Sequence, residues 1–158
     1  MPSITPYLWF DDQAEEAATF YTSVFDDARI LEFSRYAENG PKPPGTAMVV
    51  VFELQQQRFM ALNAGPEFKF TEAISFLINC DDQSEVDRYW AALTANGGQP
   101  GQCGWLKDKY GMSWQVVPKQ LAELLQDKDP GRASRVMQSM MQMTKIDVHE
   151  LRRAADQA

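Results

Sequence analysis

FDDQAEE (residues 10–16) and CDDQSEV (residues 80–86) lie 70 residues apart and share four side chains in the same order. Asp11, Asp12, Gln13 and Glu15 recur as Asp81, Asp82, Gln83 and Glu85. Each copy follows a short apolar run, ITPYLWF (4–10) or ISFLINC (74–80), and precedes an amphipathic stretch. An Asp at Asp12 or Asp82 accepts from the free N–H groups of a first helical turn, and the Glu three residues later returns a bond, as in a capping box. Both copies therefore predict strand, cap, helix. Downstream of the first, Ala17, Phe20, Tyr21, Val24 and Phe25 keep the i, i+3, i+4, i+7 spacing of a buried stripe. Val86, Tyr89, Trp90 and Leu93 do so downstream of the second, which Asn96-Gly97-Gly98 ends.

The first helix leads into ARILEFSRY (28–36), the Pro-rich loop ENGPKPPGT (38–46), AMVVVFELQQQ (47–57) and RFMALNAG (58–65), which predict three strands. After the second, GQPGQCGWLK (98–107) and SWQVVP (113–118) predict two strands hinged at Asp108 to Gly111, leaving room for one further short strand. The pattern is βαβββ twice: a first module over 1–66, a second over 71–118, then helices over 119–158. The helical stretches are KQLAELLQ (119–126), GRASRVMQSMMQM (131–143) after Asp129-Pro130, and VHELRRAAD (148–156), with Asp147 and Glu150 spaced as another capping box. The fold class expected is α+β.

Bulk properties narrow the partners. A chain of 158 residues with 44% apolar content, nine Phe, five Tyr and four Trp supports a buried core without disulfide or metal staples. A net charge of -7, with its 15 Lys and Arg scattered, argues against nucleic acid. MPSITPYLWF lacks the basic and long apolar regions of an export signal, and no apolar run reaches the roughly 18 residues that span a bilayer. The expectation is a soluble, cytoplasmic protein without a membrane partner. Cys80 and Cys103 have no CxxC spacing and read as reduced thiols. Met137, Met140, Met141 and Met143 form an apolar patch at near-helical spacing, open to core packing or to a dimer interface; a homodimer is the expectation carried forward.

Paired βαβββ modules resemble the vicinal oxygen chelate superfamily, which includes glyoxalase I, extradiol dioxygenases and bleomycin-resistance proteins. TPYLWFDDQAEEAATFYTSVF (5–25), SFLINCDDQSEVDRYWAAL (75–93), GWLKDKYGMSWQVVP (104–118) and MQMTKIDVHEL (141–151) are similar to its PhnB-like branch, often labelled demethylubiquinone methyltransferase-like. The resemblance implies two modules whose sheets curve into a cup, each offering one ligand from its first strand and one from its last to a divalent metal. It places those positions on Thr5, Asn63, Ser75 and Gln115. Four neutral side chains grip a divalent ion weakly, since such ions are held by imidazole, thiolate or carboxylate. His149, the only histidine, falls in the last predicted helix. No metal or other cofactor is therefore expected.

Strand alternation groups further residues with these four. Tyr7 and Trp9 go with Thr5, Leu77 and Asn79 with Ser75, Ser113 and Val117 with Gln115, and Ala61 and Phe59 with Asn63. The candidate ligand-binding set is Thr5, Tyr7, Trp9, Asn63, Ser75, Asn79 and Gln115: aromatic faces with scattered neutral polar groups, the composition of a small-molecule pocket. Acid-base chemistry would need Glu53, Lys107, Asp108 or Tyr110. Glu53 reads instead as an edge-strand charge, and Lys107 to Tyr110 as a turn. A methyl-donor cofactor is usually cradled by a Gly-rich strand-to-helix turn, and the Gly pairs here follow a helix or sit in a hairpin. The functional expectation is a metal-independent small-molecule-binding protein. The alternative is a divalent-metal lyase, isomerase or dioxygenase-like enzyme of the same superfamily, and whether any reaction is catalysed is left open.

Overall fold

A computed structural model describes residues 1–157 and divides the chain into two compact units, Met1–Phe70 and a second that begins at Thr71. In the first, β1 (Tyr7–Phe10) and α1 (Ala14–Val24) precede a meander of β2 (Ala28–Arg35), β3 (Ala47–Leu54) and β4 (Gln57–Asn63). In the second, β5 (Ser75–Cys80) and α2 (Gln83–Thr94) precede β6 (Gln99–Pro100), β7 (Trp105–Lys107) and β8 (Ser113–Pro118). The sheet orders, β1-β4-β3-β2 and β5-β8-β7-β6, are the same topology twice, with the opening strand parallel to the closing one in each. The repeated motif thus marks a repeated βαβββ module, and the short extra strand is the two-residue β6.

In the first module α1 buries one stripe, Ala14, Ala17, Ala18 and Tyr21, against the sheet. Small residues let the helix approach closely, and Tyr21 stacks on Phe52, which stacks on Phe59 of the neighbouring strand. The strands read apolar toward the helix at Leu8, Phe10, Val50, Phe52, Phe59 and Ala61. β3 and β4 are joined by a two-residue turn in which Gln55 (φ 50°) and Gln56 (φ 70°) are both left-handed, the geometry that matches the twist of a hairpin but that suits Asn-Gly better. Glu53 departs from the edge-strand expectation. β3 is an interior strand, and Glu53 lies in register with Arg29 on one side and Arg58 on the other, a carboxylate between cations of the two neighbouring strands.

The two copies of the motif start their helices differently. Asp82 caps α2, its Oδ1 accepting from Glu85 N at 2.9 Å, while Glu85 Oε1 accepts from Asp81 N at 3.0 Å. Asp12 caps nothing: α1 begins one residue later in the motif, behind Gln13, whose side chain makes no capping bond. Ala14 is fully buried there, so its N–H must find a partner inside the protein, and it finds Asn63 Oδ1 at 2.8 Å.

The C-terminal helices α3 (Lys119–Leu125), α4 (Pro130–Met140) and α5 (Val148–Asp156) belong to the second unit. Leu121, Val136, Ile146, Leu151 and Ala155 form their core, with Val117, Met140 and Met143 packed around it, whereas Met137 and Met141 are exposed. Gln83 ties this layer to α2, its Nε2 donating to Ile146 O at 2.9 Å and its Oε1 accepting from Val148 N at 2.7 Å. Gly104 (φ 86°) permits the close contact beneath: a Cβ there would stand 3.0 Å from Val116 O and 3.1 Å from Ile146 Cγ1. Among the described residues no helix is long and apolar enough to cross a membrane.

Candidate functional site

Each sheet has one face on its helix and one turned away, and register assigns every expected site residue to one of them. On the away face of the second sheet, Ser75, Ser113 and Lys107 stand side by side on β5, β8 and β7. The next row along the strands is Leu77, Gln115 and Trp105. Gln115 Nε2 donates to Ser75 Oγ at 2.9 Å, joining the two residues expected from the last and first strands of this module. Asn79 lies further along the same face, exposed, opposite Val117.

What holds this row in place is the hairpin before it. Asp108 is buried, its Oδ1 accepting from Tyr110 N at 2.8 Å and Met112 N at 3.1 Å, and its Oδ2 from Trp114 Nε1 at 2.9 Å. Three N–H donors suit a carboxylate and bind the turn to the strand carrying Ser113 and Gln115. Gly111 (φ 87°) completes the reversal. The turn expectation holds for Asp108 to Tyr110, with Asp108 as its internal brace, while Lys107 is the last residue of β7. Lys107 is ion-paired with Glu72, whose carboxyl is held below its usual range chiefly by the hydrogen bond from that lysine.

In the first module the away face carries Tyr7, Trp9, Met60 and Leu62. Trp9 is half-buried, donates from Nε1 to Gly65 O at 2.9 Å, and meets Phe68 edge-on with centroids 4.8 Å apart. Tyr7 is 53% exposed. Thr5 precedes the strand, half-buried, on the parity of Tyr7 and Trp9.

Asn63 does not join them. It pairs in register with Phe10, and so faces α1, the opposite side from Tyr7 and Trp9. Its amide is committed there: Oδ1 to Ala14 N, and Nδ2 donating to Ala47 O at 2.9 Å. Grouping Asn63 with Thr5, along with Ala61 and Phe59, was one residue out of register, and in a strand that shift moves a side chain to the other face. Register also supplies the residue that does correspond to Gln115. Leu77 pairs with Gln115 and Tyr7 with Met60, so Met60 holds that place in the first module. Phe59 and Trp114, by the same alternation, are core residues on the helix faces.

Neither Thr5 with Met60 in the first unit nor Ser75 with Gln115 in the second supplies the donors that hold a divalent ion: none carries charge and Met60 is a thioether. Among the described residues no group of three His, Cys, Asp or Glu side chains is placed to hold a metal. His149 is exposed on α5. Cys80 and Cys103 are both free thiols; burial pushes that of Cys80 up to about 12, with Glu85, Asp82 and Asp81 adding to the shift. A polar groove of about 340 Å3 between α4 and α5 lies apart from the rows above, and its Arg135 is engaged by the carbonyls of Ala154 and Ala155 at 3.2 and 2.9 Å. Phe68 and Trp105 are site-face aromatics that the sequence reading missed. Trp105 was recoverable by counting alternation back from Lys107, while Phe68 lies in a loop and carries no periodic signal.

A family model described as 3-demethylubiquinone-9 3-methyltransferase matches residues 2–117. The PhnB protein of Bacillus cereus is 38% identical, with a TM-score of 0.68 over 74% of this chain and 99% of its own. Protein PA1353 from Pseudomonas aeruginosa is 21% identical, with a TM-score of 0.62 over 75% of this chain and 98% of its own. The fosfomycin resistance protein FosX from Listeria monocytogenes, solved with Mn(II) and sulfate, shares the fold at 15% identity, with a TM-score of 0.54 over 78% of this chain and 94% of its own. No curated protein matches the chain.

Proposed function

Because the chain belongs to the 3-demethylubiquinone-9 3-methyltransferase family, and through it to the vicinal oxygen chelate superfamily, we propose that it binds a small organic molecule without a metal. The observation that carries this reading is the Gln115–Ser75 hydrogen bond at 2.9 Å. At the two strand positions from which the superfamily would bind an ion, an amide donates to a hydroxyl. A cation at these two positions would meet only neutral oxygens and would receive no compensating charge. Beside the pair, Trp105 and Leu77 provide apolar contact; in the first module Tyr7, Trp9 and Phe68 do the same. A binding surface of apolar faces with a few oriented polar groups suits a small molecule.

The family's name describes methyl transfer, and the local chemistry supports binding instead. Both strand-to-helix turns, Asp11-Asp12-Gln13 and Asp81-Asp82, are acidic and lack glycine, so neither resembles the cradle that such a cofactor uses. The test is elemental analysis of protein purified without chelator, followed by incubation with manganese, nickel or zinc and removal of excess. Metal below stoichiometry in both samples is the expected result. One equivalent of any transition ion overturns the proposal and favours a metal-dependent lyase, isomerase or dioxygenase. Methyl transfer from S-adenosylmethionine would overturn it equally.

A further inference from the structure

We propose that Ser113, Lys107, Ser75 and Gln115 form an oxyanion-binding subsite on the away face of the second sheet, resting on the metal-free reading above and naming the class of group the ligand presents there. The starting observation is Ser113. It is 1% exposed, yet its Oγ has no hydrogen-bond partner. A buried hydroxyl left unpaired is costly and uncommon, and its presence calls for a group that arrives from outside.

Its neighbours define that group. Ser113 sits between Ser75 on β5 and Lys107 on β7, a row across three adjacent strands spaced about 4.8 Å apart. Ser75 Oγ accepts from Gln115 Nε2, which leaves the Ser75 hydroxyl proton to be donated, and Gln115 keeps its second N–H. Two hydroxyls, an amide N–H and an ammonium all present protons on one face. The acceptor-only partner for such a set is an oxyanion, a carboxylate or a phosphate-type group.

A carboxylate already meets one member of this row. Glu72 pairs with Lys107 although both side chains are substantially exposed, at 59% and 41%. Exposed pairs of this kind are weak and exchange readily, so a ligand anion with several donors to meet displaces Glu72 from the lysine. Glu72 is then an internal competitor for the site.

The probes are sodium acetate and inorganic phosphate, titrated separately into the full-length protein and followed by 15N–1H NMR at constant ionic strength. The expected result is saturable shifts at Ser113, Lys107 and the Gln115 side-chain amide; the anion that saturates at lower concentration separates carboxylate from phosphate ligands. Lys107→Gln and Ser113→Ala should each weaken binding about tenfold. Glu72→Gln should tighten it roughly two- to fivefold by removing the competitor. Ser113→Ala should also raise the thermal midpoint of the free protein, because it removes the unpaired hydroxyl, so stability and affinity move in opposite directions. Absence of saturable shifts with both anions in wild type and in Glu72→Gln overturns the subsite, as does binding that Ser113→Ala and Lys107→Gln leave unchanged. A metal-free protein that takes no oxyanion removes this subsite alone; a stoichiometric metal removes the reading beneath it.

Discussion

Asn63, at the end of β4, supplies the helix cap that the motif at residues 10–16 does not: its Oδ1 accepts from Ala14 N at 2.8 Å, 49 residues away in sequence. The same amide donates to Ala47 O, so one side chain holds helix, closing strand and central strand together. Asn63→Ala would strand a buried donor and a buried acceptor. The expected loss is about 2–4 kcal/mol, read as a lower urea midpoint with an unchanged m-value. A destabilisation of only a few tenths would show that the cap contributes little.

The brace at Asp108 predicts a second outcome. Asp108→Asn keeps the shape but loses an acceptor, so either the Trp114 indole N–H or both turn amides go unpaired. Stability should fall by about 2–3 kcal/mol, and tryptophan emission of the folded protein should shift as the hairpin loosens. Unchanged stability would mean that the turn stands without its carboxylate.

The Gln55-Gln56 turn predicts a gain. Gln56→Gly places the residue best suited to φ 70° where a side chain now strains the backbone. An increase of about 0.5–1 kcal/mol is expected from chemical denaturation, with the fold unchanged by circular dichroism. Gln55 is left alone because its amide also contacts Asp26 O.

Cys80 predicts an alkaline limit to stability. Burial first, then the carboxylates of Glu85, Asp82 and Asp81, push its thiol up to about 12 in the folded protein. The unfolded thiol ionises near pH 8.5. Between those values the unfolded chain loses a proton that the folded one keeps, so this contribution is complete below the ordinary thiol range and declines as pH rises toward 12. Urea midpoints should fall above about pH 8.5, and less steeply in Cys80→Ala. Parallel slopes in the two proteins would remove Cys80 as the cause.

Local rules made the architecture legible. The duplicated Asp-Asp-Gln-x-Glu, the apolar runs before it and the helical stripes after it depend on neighbours within a few residues, and they are enough to specify two βαβββ modules and three C-terminal helices. The family resemblance is what paired Ser75 with Gln115; parity adds only the neighbours of each along its own strand, and the register of β5 on β8 sets the two on one face. Tertiary structure alone decided three things: that Asn63 points at Ala14, that Glu53 lies on an interior strand, and that Met60 holds the place of Gln115 in the first module. Each turns on which strand pairs with which and in what register. A shift of one residue there reverses every side chain while leaving composition and periodicity as they were.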